Sequence, residues 1–362
     1  MQVTGYHISQ VSVPLSKPLI TAIHKTEAVG CVLLSIETDA GLTGEGYVFA
    51  LNQQRLPAFS AMIDSLMPLV VGQSPLYIEK HWQAMWRDVN PAGLKGVTVS
   101  AMSAIDTALW DIVGKRAGLP LYQLFGACRD EVKTYASSGL WLSQSVDELI
   151  AEAHGFVAQG FHAVKLRLGK DDIKEDVARV KALRESLGDS VEILTDANQS
   201  LSPRKAISLA RKIADYDITW LEEPVAANDF AGHRRVLDAI DIPLASGETE
   251  YTSFGMKEML EQRTVDVLMP DLQRIGGLSE MRKSAAIAAS YHTPISTHIF
   301  TEQSLSIAGS APNCISVEHV DWFAPLFKEK IVIKNGNIPM PQTPGLGFSF
   351  DWDTVKQLRL SP

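Results

Sequence analysis

Phe161-His162-Ala163-Val164-Lys165-Leu166-Arg167-Leu168-Gly169 is the stretch on which the reading of the chain turns. It is an apolar, β-type run that delivers two cations and then stops at a glycine. Residues two apart on a strand point to the same side, so Lys165 and Arg167 share one face at the strand's end. Downstream come Asp196, Glu222, Glu248, Asp271, His298 and Glu318, one every 20 to 31 residues and each at the end of a short apolar run. One strand, one helix and two loops consume roughly 25 to 30 residues. The series therefore marks one residue per βα unit, and a parallel barrel gathers such residues at a single mouth.

Working outward, the rhythm of strand, loop and helix occupies residues 129–329. Strands are expected at Val132 to Ser137, Ala163 to Leu168, Val191 to Thr195, Thr219 to Leu221, Pro243 to Ala245, Val265 to Met269, Pro294 to Thr297 and Ile315 to Val317. Helical runs such as Val146 to Gln159, Ile173 to Leu187 and Pro203 to Tyr216 lie between them. Pro203 suits a first helical turn, where its missing N–H costs nothing. The last unit lacks a full helix, which gives seven βα units and a final strand: an α/β fold, a modified TIM barrel. Lys330 to Lys334 reads as another strand-like piece, and Pro339, Pro341 and Pro344 make residues 330–362 an extended strap packing back towards the start of the chain.

Residues 1–128 read differently. Two strands and a return strand, Val3 to Val13, Val29 to Thr38 and Gly46 to Ala50, flank an Asp39–Gly44 turn. Helical stretches follow, the last of them Thr98 to Ala117 with apolar residues at helical spacing. This is an α+β unit, expected to cap the barrel. Its polar loops hold His24 and Lys25, then Asn52, Gln53, Gln54 and Arg55.

The bulk properties narrow the function. The 362 residues are 46% hydrophobic and 21% charged, with mean hydropathy near zero. A net charge of −9 argues against nucleic acid, which attracts a basic face. No leader-like start and no apolar run of membrane-spanning length is seen. Cys31, Cys128 and Cys314 form neither a disulfide framework nor a metal motif, so a cytoplasmic setting is expected. A homo-oligomer is expected as well.

Three hard oxygens from Asp196, Glu222 and Glu248, on three successive strand ends, suit Mg²⁺. Spacing alone leaves the alternative that they pair with Lys165 and Arg167. Asp271 and His298, on neighbouring strand ends, can bond so that the carboxylate fixes the ring and raises its basicity. Lys165, near a metal and another cation, is a candidate for a lowered pKa. Arg167 stays protonated and favours binding a carboxylate. Glu223 points away from Glu222 and reads as a supporting or surface partner, as does Glu250. Trp220, Trp110 and Met269 read as core, and His7, His81 and His154 as structural.

Lys165-Leu166-Arg167, Asp196-Ala197-Asn198-Gln199, Trp220-Leu221-Glu222-Glu223-Pro224, Ser246-Gly247-Glu248, Asp271 with Ile275-Gly276-Gly277, and Ser296-Thr297-His298 together resemble the enolase superfamily, mandelate racemase subgroup. The resemblance spans essentially the whole chain. It implies a capping domain over a (β/α)₇β barrel, with Mg²⁺ (Mn²⁺ as an alternative) on Asp196, Glu222 and Glu248. The metal would chelate the carboxylate of a small 2-hydroxy acid while a base removes the neighbouring proton. The Asp271–His298 dyad is then one base, Glu318 and Lys165 attend the carboxylate, and Asn198 lies near the 2-hydroxyl. Ser137, His24, Lys25 and Arg55 complete the expected substrate contacts.

The family pattern has lysine where this chain has Arg167, and arginine, with a pKa above about 12, is a poor base. A one-base reaction is therefore expected: dehydration of an acid sugar, aldonate or aldarate, to a 2-keto-3-deoxy acid. Racemisation, epimerisation or lactone cycloisomerisation are the alternatives within the family, and a non-catalytic sugar-acid binder is the alternative outside it. The polar cap loops are expected to face a polar substrate.

Overall fold

The computed structural model describes residues 1–360. A three-stranded antiparallel sheet opens the chain: β1 (Val3–Ile20), β2 (Lys25–Thr38) and β3 (Thr43–Ala50), in that order. Helices Leu56–Leu66, Ile78–Val89 and Val97–Ala117 cover one face, packing Val32, Leu34, Ile36 and Val48 against Ile63, Ile105 and Ile112. Gly44 and Gly46 permit this contact. A Cβ at either would stand 2.0 Å from the Ala108 carbonyl oxygen or 2.2 Å from that of Ala104.

The barrel strands are β4 (Glu131–Ala136), β5 (Ala163–Arg167), β6 (Glu192–Asp196), β7 (Ile218–Glu222), β8 (Leu244–Ser246), β9 (Val267–Leu268), β10 (Ile295–Thr297) and β11 (Cys314–His319). All neighbours pair in parallel, and β11 closes onto β4 through Glu318↔Tyr135. Helices link each strand to the next up to β11, which leads only to a short turn, Ala324–Leu326. Trp220 and Met269 fill the barrel interior with Tyr135, Leu194 and Val267. Trp110 is only half-buried and donates from Nε1 to Ser279 Oγ, 2.9 Å.

The register aligns the strand ends. Arg167 lies beside Asp196, and Asp196 beside Glu222. Parallel pairing with equal strand lengths therefore places successive terminal residues side by side at one mouth.

The cap is bonded to the loops after β9. Phe49 N donates to Gln273 Oε1 (2.8 Å), and Gln273 Nε2 donates back to Phe49 O (3.2 Å). Ser103 Oγ reaches Leu272 O, and Ser279 N and Oγ both donate to Asp106.

The end of the chain differs from expectation in two places. Lys330–Lys334 forms no strand. The added strand is β12 (Asn337–Pro339), antiparallel to the start of β4. Beyond it the strap is not wholly extended, since Trp352–Leu358 is helical, capped by Asp351. Phe350 N and Trp352 Nε1 both donate to Glu45, tying this segment to the cap. Among the described residues no helix is long and apolar enough to cross a membrane.

Candidate functional site

The barrel mouth collects every residue of the strand-end series. Lys165 is fully buried. Its Nζ lies 2.8 Å from Glu222 Oε1, 2.6 Å from Glu318 Oε1 and 3.8 Å from Asp196 Oδ2. Arg167 donates from Nη1 to Asp196 Oδ2 and from Nη2 to Ser137 Oγ (2.8 Å). Its guanidinium carbon stands 5.1 Å from the centre of the Trp141 ring.

Asp196 Oδ1 accepts from Asn198 N, 2.7 Å, and Glu222 Oε2 from Trp220 Nε1, 3.1 Å. Across the mouth, His298 Nδ1 lies 2.7 Å from Asp271 Oδ2, and Nε2 lies 3.0 Å from Glu248 Oε2. Glu318 Oε1 accepts from Ser137 Oγ (2.5 Å) and Oε2 from Ile299 N (3.0 Å).

Burial works against each charge here, and the neighbours decide the outcome. Burial lowers Lys165, but Glu222 and Glu318 outweigh it and hold the ammonium above its ordinary range. This is the metal-free balance, whereas the expected lowering invoked a bound metal beside the neighbouring cation. Burial raises Glu222, and with Asp196 it overcomes Lys165 and pushes the carboxyl up to about 8. Burial raises Glu318 too, but Lys165 and His298 bring it down to about 2. For Glu248 the proximity of His298 overrides burial and holds the group low. Burial opposes charge on His298, yet Glu248 and Asp271 raise it well above the usual histidine value.

Asp196, Glu222, Glu223, Glu248, Asp271 and Glu318 crowd around three permanent cations, Lys165, Arg167 and Arg274, and one histidine. With the Glu222 and Glu223 carboxyls pushed up to about 8 and the histidine raised, the metal-free cluster is close to balanced in charge. A hard divalent cation would favour the ionised carboxylates, and Asp196, Glu222 and Glu248 are the donor type Mg²⁺ takes. As they stand, their oxygens are turned onto Arg167, Lys165 and His298. No three Asp, Glu, His or Cys side chains among the described residues are arranged as a ready metal cage. Asn198 Oδ1 is buried without a partner beside them, a free acceptor in the cleft.

The cleft above is lined on its polar side by Arg167, Asp196, Asn198, Glu248, Arg274, His298 and Glu318. Its apolar lining is Leu19, Phe49, Leu51, Trp141, Ile299 and Trp322, and Thr21 adds a hydroxyl from the cap. His24 lines the rim, with burial lowering its pKa against Glu248. Lys25 and Arg55 are exposed and lie outside the lining. Ser137 is buried beneath the cleft, bonding Arg167 and Glu318. The cap lining is mixed: Leu19, Phe49 and Leu51 are apolar, while Thr21 and His24 come from the polar loop after β1. Arg274 was not singled out from sequence. It stands three residues after Asp271, donates to Glu248 O (2.6 Å) and lies 3.9 Å from Asp271 Oδ2. Trp141 stands in the loop after β4.

Comparison with known proteins places the chain in a family. Residues 3–126 match the mandelate racemase/muconate lactonizing enzyme N-terminal domain, and residues 148–354 match the enolase C-terminal domain-like family. A 3,6-anhydro-α-L-galactonate cycloisomerase from Streptomyces coelicolor is 34% identical over 90% of this chain and 91% of its own. An L-talarate/galactarate dehydratase from Salmonella typhimurium is 33% identical over 89% and 80%. The crystal structure of an L-talarate dehydratase from Polaromonas, complexed with Mg and L-glucarate, superposes with a TM-score of 0.95 at 32% identity, covering 99% of this chain and 98% of that one. The chain belongs to the mandelate racemase/muconate lactonizing enzyme family of the enolase superfamily.

Proposed function

We propose that the protein removes the proton next to the carboxylate of a small 2-hydroxy acid and, from an acid sugar, expels the 3-hydroxyl to give a 2-keto-3-deoxy acid. The observation that carries this reading is the single-sided base: one imidazole, backed by Asp271 at 2.7 Å, lines the same cleft as a guanidinium. Burial lowers Arg167, but Asp196 and Glu318 outweigh it and raise it further. It holds its proton and binds an anion.

Asp196, Glu222 and Glu248 would hold Mg²⁺, which when bound draws off the charge that develops on the substrate carboxylate. Lys165 and Glu318 would flank that carboxylate, one neutralising it and the other hydrogen-bonding to it. Asn198 offers its free Oδ1 to the 2-hydroxyl. A cation held by Glu248 would take away the largest of the influences that raise His298, leaving Nε2 to accept a proton. Asp271 keeps Nδ1 protonated and the ring aimed. The imidazolium then stands ready to protonate the departing hydroxyl, so one residue serves both steps.

The apolar wall favours a second reading with the same first step. A cyclic substrate, such as an anhydro sugar acid or a lactone, presents C–H faces that stack on Trp141 and Trp322 better than an open polyol does. The protein would then be a cycloisomerase. A screen of aldonates, aldarates and their lactones for 2-keto acid formation, run with and without Mg²⁺, separates the two. Absence of any turnover and of C2 deuterium exchange across that panel would sink both.

A further inference from the structure

A second set of polar groups lies behind the three carboxylates and joins the ends of their strands. Glu223, just after Glu222, is 1% exposed, with φ of +37° in the left-handed region. Its Oε2 accepts from Gln199 Nε2 (2.6 Å) and its Oε1 from Ser246 Oγ (3.0 Å). Its carbonyl accepts from Gln199 N (2.7 Å), and its own N donates to Ala245 O (2.9 Å). Gln199 follows Asp196 by three positions and is itself left-handed, φ +62°. It is fixed at its far end, where Oε1 accepts from Ala227 N (3.0 Å) and Nε2 also donates to Thr249 Oγ1 (3.1 Å). Ser246 precedes Glu248 by two. One carboxylate thus bonds to the loop after Asp196 and to the end of the strand leading to Glu248, and it is covalently next to Glu222.

Two features set this carboxylate apart from a structural brace. Left-handed backbone at a non-glycine residue costs of order 1 kcal/mol or more and persists where the surroundings over-determine it. Asn198, Gln199 and Glu223 all adopt it within three residues of a candidate metal ligand. A buried carboxylate without a cationic partner is also costly, and Glu223 has no salt bridge; both its oxygens meet neutral donors. A stable brace would be built more cheaply from an amide.

We infer that Glu223 is a positioning residue that sets, through Gln199 and Ser246, the separation of Asp196, Glu222 and Glu248 and hence the affinity of the site for a divalent cation. The inference rests on the metal reading of that triad. Hydrogen-bond partners of metal-bearing side chains typically contribute 10- to 100-fold in affinity.

The test is Mg²⁺ titration of the purified protein by calorimetry, with unfolding temperature in EDTA measured in parallel. Glu223→Leu removes both acceptors of the bridge, and Mg²⁺ affinity falls about 10- to 100-fold. Glu223→Gln keeps the bridge, with Oε1 accepting from Gln199 and Nε2 donating to Ser246 Oγ, and retains the affinity within a few-fold. Wild-type affinity in Glu223→Leu, with only the EDTA unfolding temperature lowered, would make the bridge a brace and overturn the inference alone. A loss in Glu223→Gln equal to that in Glu223→Leu would overturn it too, by showing that charge at position 223, not alignment, matters. A wild-type protein that binds no Mg²⁺ would overturn the metal reading and this inference together.

Discussion

Asp271 and His298 end neighbouring strands and meet twice. Their side chains stand 2.7 Å apart, and their backbones form a parallel bridge, with His298 N donating to Pro270 O. The ring is therefore aimed by backbone and carboxylate together. Asp271→Asn keeps the shape but removes the acceptor that selects the Nδ1–H tautomer. Turnover is expected to fall by about 10²- to 10⁴-fold, the usual weight of general-base catalysis, with little change in KM. Turnover within a few-fold of wild type would mean that backbone geometry alone orients the ring.

His298→Asn should abolish both dehydration and deuterium incorporation at C2, since Arg167 cannot replace the base. Arg167→Lys in the otherwise native protein puts a titratable amine on the opposite face, and slow exchange of the opposite C2 epimer is expected. Proton NMR in D₂O reads both. Residual exchange in His298→Asn, with Arg167 intact, would put proton abstraction on the arginine face and make racemisation the leading chemistry.

Glu222→Gln removes one anionic donor from the candidate metal site. In wild type, Mg²⁺ at 100-fold over Kd should stabilise the fold by about 2.7 kcal/mol, visible as a raised unfolding temperature. The variant should lose that rise and most of its activity while remaining folded without metal. An equal rise in the variant would place the cation elsewhere.

The cap residues divide by position. His24→Ala lies on the rim of the cleft and should change KM or substrate preference without altering Mg²⁺ affinity. Lys25→Ala and Arg55→Ala lie outside the lining and should leave the substrate profile unchanged. Trp141→Ala removes the ring that faces Arg167 and should weaken cyclic substrates more than open-chain ones.

His319 supplies a pH dependence separate from the chemistry. Burial pushes its imidazole down to about 4 from an ordinary 6.5, and its Nδ1 has no partner in the fold. The unfolded chain therefore takes up the proton first. The stability this group contributes is complete above pH 6.5 and is lost as pH falls towards 4, at about 1.4 kcal/mol per unit. His319→Phe, which keeps the stacking on Phe161, should flatten the unfolding-temperature profile across that window. A profile parallel to wild type would assign the acid loss to other groups.

The barrel was legible because a strand alternates and a βα unit has a fixed length. Those two facts place Asp196, Glu222, Glu248, Asp271, His298 and Glu318 at one mouth before any coordinate is known. The apolar part of the cleft lining was not legible. Leu19 and Phe49 sit on cap strands, and which residues of those strands meet the mouth depends on how the two units dock. The contacts of Lys165 were hidden for a related reason: residue spacing shows that carboxylates are near, but not that Glu222 and Glu318 both touch its Nζ. Helix Trp352–Leu358 is seven residues long and buries only Val355, too little apolar periodicity to announce itself after a proline-rich run.

The paired amide bonds between Phe49 and Gln273 bear on how such an enzyme changes its substrate. Phe49 lines the cleft, and Gln273 lies between Asp271 and Arg274 in the short helix Leu272–Ile275 that follows the dyad carboxylate. The wall that selects and the base that reacts are thereby riveted at one point. Grafting a foreign cap onto this barrel would break the rivet and disturb the dyad loop, so recombination of whole domains is a poor route to new specificity. Side-chain replacement at positions 19, 49 and 51, which leaves the backbone bonds in place, is the open one.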